Sequence, residues 1–105
     1  MNEFHLKMEQ LSAAYRETVA AELRKLREQA ETLCGDERDR DCLQQMTASL
    51  HRLAGGAGVF GIHRLSERAQ GLEFDLNDWL AAPLADDYRQ TLPDLRASLM
   101  NLTAE

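Results

Sequence analysis

Apolar residues recur every three or four positions along four stretches of the chain, which is the spacing of one face of an α-helix. Glycine- or proline-containing breaks near residues 34–36, 55–61 and 81–83 separate the stretches. The four stripes are Phe4, Met8, Leu11, Tyr15, Val19, Leu23, Leu26, Ala30 and Leu33; then Leu43, Met46, Leu50, Leu53 and Ala57; then Ile62, Leu65, Ala69, Leu72, Leu76 and Trp79 or Leu80; and last Leu84, Tyr88, Leu92, Leu95, Leu99 and Leu102. The pattern predicts four amphipathic helices.

Several residues mark the ends of these helices. Gly35 suits a cap after the first helix, and Asp39 or Asp41 suits the N-terminus of the second. Pro83 suits the first turn of the fourth helix. Pro93 falls inside that helix and lacks a backbone donor, so we predict a kink there.

Four amphipathic helices with short connections pack as an antiparallel up-and-down bundle, and 105 residues suffice for one such domain, residues 1–105. Composition agrees with an all-α fold, because the chain has 17 Leu and 14 Ala but only 2 Val and 1 Ile. The long first stripe is compatible either with a dimer or with burial inside one bundle.

Charge and cysteine content narrow the possible functions. The 18 acidic against 12 basic residues give a net charge of −6, which argues against nucleic-acid binding. No apolar run approaches the length of a membrane span, and the charged first thirty residues do not resemble a signal peptide. We therefore expect a cytoplasmic protein, with Cys34 and Cys42 as reduced thiols.

The segment 51–61, His-Arg-Leu-Ala-Gly-Gly-Ala-Gly-Val-Phe-Gly, is unusual for the end of a helix. A glycine inside a helix costs about 1 kcal/mol relative to alanine. Either the helix simply frays here, or another surface must approach its backbone closely. Val59 and Phe60, which follow the glycines, fit either a core plug or an exposed apolar docking patch.

His51 favours the second interpretation. It follows Leu50 of the core stripe by about 100° of helical rotation, so it lies on the flank and is expected to be partly exposed. Its neighbours on the same helical face are all small: Thr47, Ala54, Gly55 and Gly58. The sequence thus predicts an exposed imidazole on a surface of low relief, over which another molecule docks.

These residues resemble the motif of the histidine phosphotransfer (Hpt) domain of bacterial multistep phosphorelays. The motif residues are His51, Leu53, Gly55, Ala57, Gly61 and Leu65, continuing to Ala69, Leu72 and Glu73. The chain length and the four predicted helices also suit that family.

The resemblance implies a phosphocarrier. His51 would accept a phosphoryl group from the aspartyl phosphate of one response-regulator receiver domain and pass it to another receiver. The partners would belong to a hybrid sensor kinase and a downstream regulator. The receiver would supply Mg²⁺, so no cofactor of the chain's own is implied.

Roles for further residues follow from the same resemblance. Gly55 would leave room for the receiver's loops, and a polar side chain at Glu73 would hydrogen-bond His51, although a surface salt bridge is an alternative use of Glu73. The family usually has Lys three residues after the histidine, where this chain has Ala54. Arg52, Arg64 and Arg68 are candidates to neutralise the phosphate instead, with Arg68 first.

Other chemistry finds little support in the sequence. The glycine segment lacks the Gly-Lys-Ser/Thr ending of an ATP-binding loop, so we expect no kinase activity and no enzyme in the usual sense. His5, His51 and His63 lack metal-ligand spacing. The remaining alternative is a helical bundle that acts by binding alone, as a kinase inhibitor or dimerisation module.

Overall fold

The structure, a computed structural model, describes residues 3–81 and 87–104. The described residues form four α-helices and no strand, so the all-α prediction is confirmed. The helices are α1 (Glu3–Glu31), α2 (Arg40–Val59), α3 (His63–Leu80) and α4 (Tyr88–Met100), and a short 3₁₀ turn (Glu37–Asp39) precedes α2. Pro83 and Leu84, predicted to open the fourth helix, lie outside the described residues.

The core is built from the predicted stripes. Leucine is its commonest residue, and all four helices contribute side chains to it. The buried apolar side chains are Val19, Leu23, Leu26, Ala30, Leu33, Leu43, Met46, Leu50, Leu53, Ala54, Ala57, Ile62, Leu65, Ala69, Leu76, Tyr88, Leu92, Leu95, Leu99 and Leu102. Because nearly every member belongs to a stripe with helical spacing, burying these faces together accounts for the fold.

Only the part of the first stripe from Val19 onward is buried in this core. The stripe forms one continuous helix, but its burial begins at Val19, and Phe4, Met8 and Leu11 are exposed. The molecule measures 56 × 21 × 20 Å, and α1 has 29 residues, or about 43 Å of helix. The beginning of α1 therefore extends past the helices it packs against.

A buried aspartate organises the connection between α1 and α2. The Asp39 carboxylate accepts hydrogen bonds from the backbone N–H groups of Cys34 and Gly35 and from the Tyr88 hydroxyl, at 2.7–3.0 Å. Burial opposes ionisation of Asp39, but these hydrogen bonds outweigh it and lower the pKa of the carboxyl. Gly35 lies four residues past α1 with φ +93°, so the prediction that it caps this helix directly is wrong: the loop is held by Asp39 instead.

Two arginines satisfy helix C-termini across the α1–α4 contact. Arg27 of α1 donates to the carbonyls of Leu99 and Leu102 at 3.1 and 2.6 Å. Arg96 of α4 donates in return to the carbonyls of Ala30 and Leu33, both at 3.1 Å. The last carbonyls of a helix lack intrahelical partners, so this exchange ties the two helix ends together.

Candidate functional site

The site is built on the α2–α3 pair. Gly61, with φ +75°, makes the turn between them, and the N–H of Ile62 donates to the Ala57 carbonyl at 2.8 Å. The buried Ser66 hydroxyl then donates to the Ala54 carbonyl at 2.8 Å. These contacts set the two helices side by side and fix their relative position.

This arrangement brings Glu73 to His51. The His51 side chain is 75% exposed, and its Nδ1 lies 2.8 Å from Oε2 of Glu73, a residue whose side chain is only 21% exposed. An ionised carboxylate can only accept a hydrogen bond, so Nδ1 must carry the proton. In the neutral ring Nε2 then holds the free lone pair, on an imidazole that stands in solvent.

A shallow depression of about 440 Å³ lies beside the imidazole. Its lining comes from residues 44–52 of α2 and from the second half of α3: Gln44, Thr47, Ala48, His51, Arg52, Glu73, Asn77 and Leu80. Arg52 is exposed, and its guanidinium donates to the Ser49 hydroxyl at 3.2 Å. Among the described residues that line this depression, Arg52 is the cation beside His51.

The other flank of His51 is open. Gly55 is exposed, and a Cβ atom built on it meets nothing within 4 Å. Gly58 is exposed as well, and a Cβ there would make an ordinary contact with the Ser66 hydroxyl at 3.5 Å. Nothing within the described chain requires glycine at position 55, which leaves room there for an approaching surface.

The family model of the Hpt domain matches residues 10–104. The chain belongs to the Hpt family. No curated protein and no solved structure matches it significantly. Hpt domains carry out histidine phosphotransfer in phosphorelays, where they act as phosphocarriers and interact with response-regulator receiver domains.

One glycine of this Hpt domain has an intramolecular purpose that the sequence did not indicate. A Cβ atom on Gly56 would collide with the ring of Tyr15, whose hydroxyl donates to the Leu53 carbonyl at 3.3 Å. Tyr15 also stacks on Phe60, with 4.5 Å between ring centroids. Of the two apolar residues after the glycines, Phe60 therefore packs against the core, whereas Val59 is 80% exposed.

Ala54 does not lie on the exposed strip, so that prediction is wrong. The residue is only 4% exposed, because it follows Leu50 by one helical turn and faces the α2–α3 contact. A partner cannot reach its side chain. Position 54 thus contributes packing to this Hpt domain and no surface for binding.

Arg68, predicted as the first candidate to neutralise the phosphate, is directed elsewhere. Its guanidinium donates to the Asn101 carbonyl at 3.4 Å and lines a separate depression between α3 and α4. Arg68 and Glu73 are five residues apart, or about 140° around the helix axis. Arg64, exposed in the first turn of α3, lies nine residues before Glu73 and so on the opposite side of α3.

The structure adds two polar residues to the surroundings of His51. Asn77 follows Glu73 by one helical turn, and Gln44 precedes His51 by two turns. The same spacing rule that selected the small neighbours of His51 would have found both.

Metal ligands and membrane spans can be assessed only within residues 3–81 and 87–104. There, no group of three His, Cys, Asp or Glu side chains could hold a metal ion. No helix in these ranges combines the length and apolarity needed to cross a bilayer.

Proposed function

We propose that His51 accepts a phosphoryl group from the aspartyl phosphate of one receiver domain and transfers it to the aspartate of another. The observation that carries this proposal is the His51–Glu73 pair. It combines an exposed imidazole with a carboxylate on Nδ1, so that Nε2 is the nucleophile and points away from Glu73.

The transfer needs one bond made and one broken. The Nε2 lone pair attacks phosphorus, and the bond between phosphorus and the aspartyl oxygen breaks, which returns a free carboxylate to the receiver. The ring becomes a phosphorylated imidazolium, and Glu73 stabilises its positive charge through the Nδ1–H hydrogen bond. The onward transfer reverses these steps against a second receiver's carboxylate.

Charge on the phosphoryl group must be balanced during the transfer. We assign part of this role to Arg52, because it borders the same depression as His51 and replaces the missing lysine at position 54. The receiver would provide Mg²⁺, and the Hpt domain no cofactor of its own and no ATP site. Gly55 and Gly58 would form the low surface on which the receiver rests.

The wider setting belongs to the same proposal. The receivers would be those of a hybrid sensor kinase and a downstream regulator in the cytoplasm, and residues 1–105 would act as one domain. The four helices would alternate in direction, with a kink near Pro93. The contact of Tyr15 with Leu53, together with that of Gln29 with Gln45, supports opposite directions for α1 and α2.

The test is phosphoryl transfer from a receiver charged with acetyl phosphate. The wild-type protein should acquire acid-labile label, and His51→Gln should abolish it. His63→Gln is the matched control, because His63 is also an exposed histidine, at the start of α3, and its loss should leave labelling unchanged. Labelling that survives His51→Gln would reject the assignment, and receiver binding with no label at all would indicate a binding-only protein.

A further inference from the structure

The first turns of α1 carry an exposed apolar face, where the ring contact within the described residues is between Phe4 and its neighbour His5, with 6.2 Å between centroids. Phe4, Met8 and Leu11 are 68, 41 and 53% exposed, and they fall on one side of the helix at spacings of four and three. Isolated exposed apolar residues are ordinary, but three large ones in a single row are not. The end of a helix frays where it is not packed, so this segment gains from a contact.

The packing of α1 leaves this face beyond the rest of the bundle. Tyr15 meets the end of α2, at Leu53, Gly56 and Phe60. Farther along α1, Gln29 meets Gln45 in the first half of α2. The residues before Tyr15 must therefore run past the end of α2, where α2 and α3 offer only their connecting turn.

The family match also sets this segment apart. It begins at residue 10, so Phe4 and Met8 precede the part of the chain that resembles other Hpt domains. Two of the three exposed residues of the face therefore precede the matched region, and the phosphotransfer site at His51 does not account for them.

The spacing of the face indicates what it binds. Phe4, Met8, Leu11 and Tyr15 repeat at intervals of four, three and four, the narrow seam of a two-helix coiled coil. Two copies of this seam in opposite directions match each other when Phe4 lies opposite Tyr15 and Met8 lies opposite Leu11. A two-fold axis between residues 9 and 10 then pairs every member of the row.

We propose that the first turns of α1 pair with the same segment of a second copy of this chain, in opposite directions, to form a dimer. Phe4 of each copy packs beside the Tyr15–Phe60 stack of the other. Val59, exposed next to Phe60, extends the apolar surface at that point.

Charge and area agree with a second copy as the occupant. Residues 3–17 contain two basic residues, Lys7 and Arg16, and three acidic ones, Glu3, Glu9 and Glu17. The net charge of this segment is −1, whereas the whole chain carries −6, so two such segments repel each other only weakly. Phe4, Met8 and Leu11 of two copies, with the exposed Val59, are enough for an interface below about 1,200 Å² in total, the size of a weak and reversible association.

The test is sedimentation velocity of the full chain between about 10 μM and 1 mM, the range expected for an interface of this size. The wild-type mass should rise with concentration from 11.9 kDa towards twice that value. Leu11→Lys should weaken the dimer by at least about a hundredfold, because both copies lose an apolar contact. Circular dichroism should stay helical, since Leu11 contributes nothing to the core.

Met100→Lys is the matched control, because Met100 is an exposed apolar residue at the end of α4 and outside the row. It should dimerise like the wild type. A monomer at every concentration would overturn the proposal, as would a dimer that Leu11→Lys and Phe4→Lys leave intact. A monomer whose receiver complex is weakened by Leu11→Lys would assign the face to the receiver instead.

Discussion

At the scale of single residues, the chemistry of His51 depends on one neighbour. Its exposure follows from its position beside the core stripe, but its tautomer is set by Glu73, 22 residues away. The carboxylate holds Nδ1–H and leaves Nε2 free, which a surface histidine without such a partner would not do reliably. A contact between two helices therefore decides which nitrogen is left free, the atom to which we assign the phosphoryl group.

A second carboxylate, Asp39, has a structural role that can be measured. Asp39→Asn should lower the free energy of unfolding at pH 7 by about 2 kcal/mol, because it weakens hydrogen bonds to buried donors. The pKa of Asp39 is lowered in the folded protein, so its contribution is complete above the ordinary value of 3.8 and is lost as the pH falls through the folded pKa. Urea unfolding at several pH values checks both the size and the trend.

Asp78→Asn provides the comparison for Asp39. Asp78 is an exposed carboxylate of α3, and its replacement should change stability by less than about 0.5 kcal/mol. An Asp39→Asn deficit that persists unchanged at pH 2 would contradict the explanation based on ionised Asp39.

At the scale of elements, two adjacent glycines of α2 differ in purpose. Gly55→Ala should stabilise the fold by up to about 1 kcal/mol, because open space surrounds position 55 and alanine favours helix. Gly56→Ala should destabilise it by about 1–3 kcal/mol, because the new methyl group meets the Tyr15 ring. Thermal unfolding of the two variants, the same substitution one residue apart, tests the assignment, and equal shifts of the same sign would contradict it.

The elements also show where sequence reasoning succeeds. The stripes that contain Leu43, Leu65 and Leu92 predicted their helices, because the helical spacing of leucines indicates which face is buried. Ala54 and Arg68 were misplaced, since the spacing rule does not say which neighbouring helix each flank of a helix meets. The roles of Gly56 and Asp39 could not be predicted from the sequence for the same reason. Gly56 contacts Tyr15 and Asp39 contacts Tyr88, and both partners are distant in the sequence.

At the scale of the whole molecule, the fold separates two regions. The pair α2 and α3 carries the histidine, while the first turns of α1 extend beyond the bundle along the 56 Å length of the molecule. His51 precedes the end of α2 by eight residues, about 12 Å of helix. An Hpt domain that dimerises through α1 can therefore keep His51 itself about 12 Å from the end of α2, where Val59 would border the dimer contact.

The central claim is that the free nitrogen of one oriented imidazole receives the phosphoryl group. Heteronuclear NMR of the phosphorylated, ¹⁵N-labelled protein tests it most directly, through the coupling between phosphorus and the ring nitrogens. We expect phosphorus on Nε2 of His51, with a proton retained on Nδ1 beside Glu73. Phosphorus on Nδ1 of His51, or on His5 or His63, would contradict it.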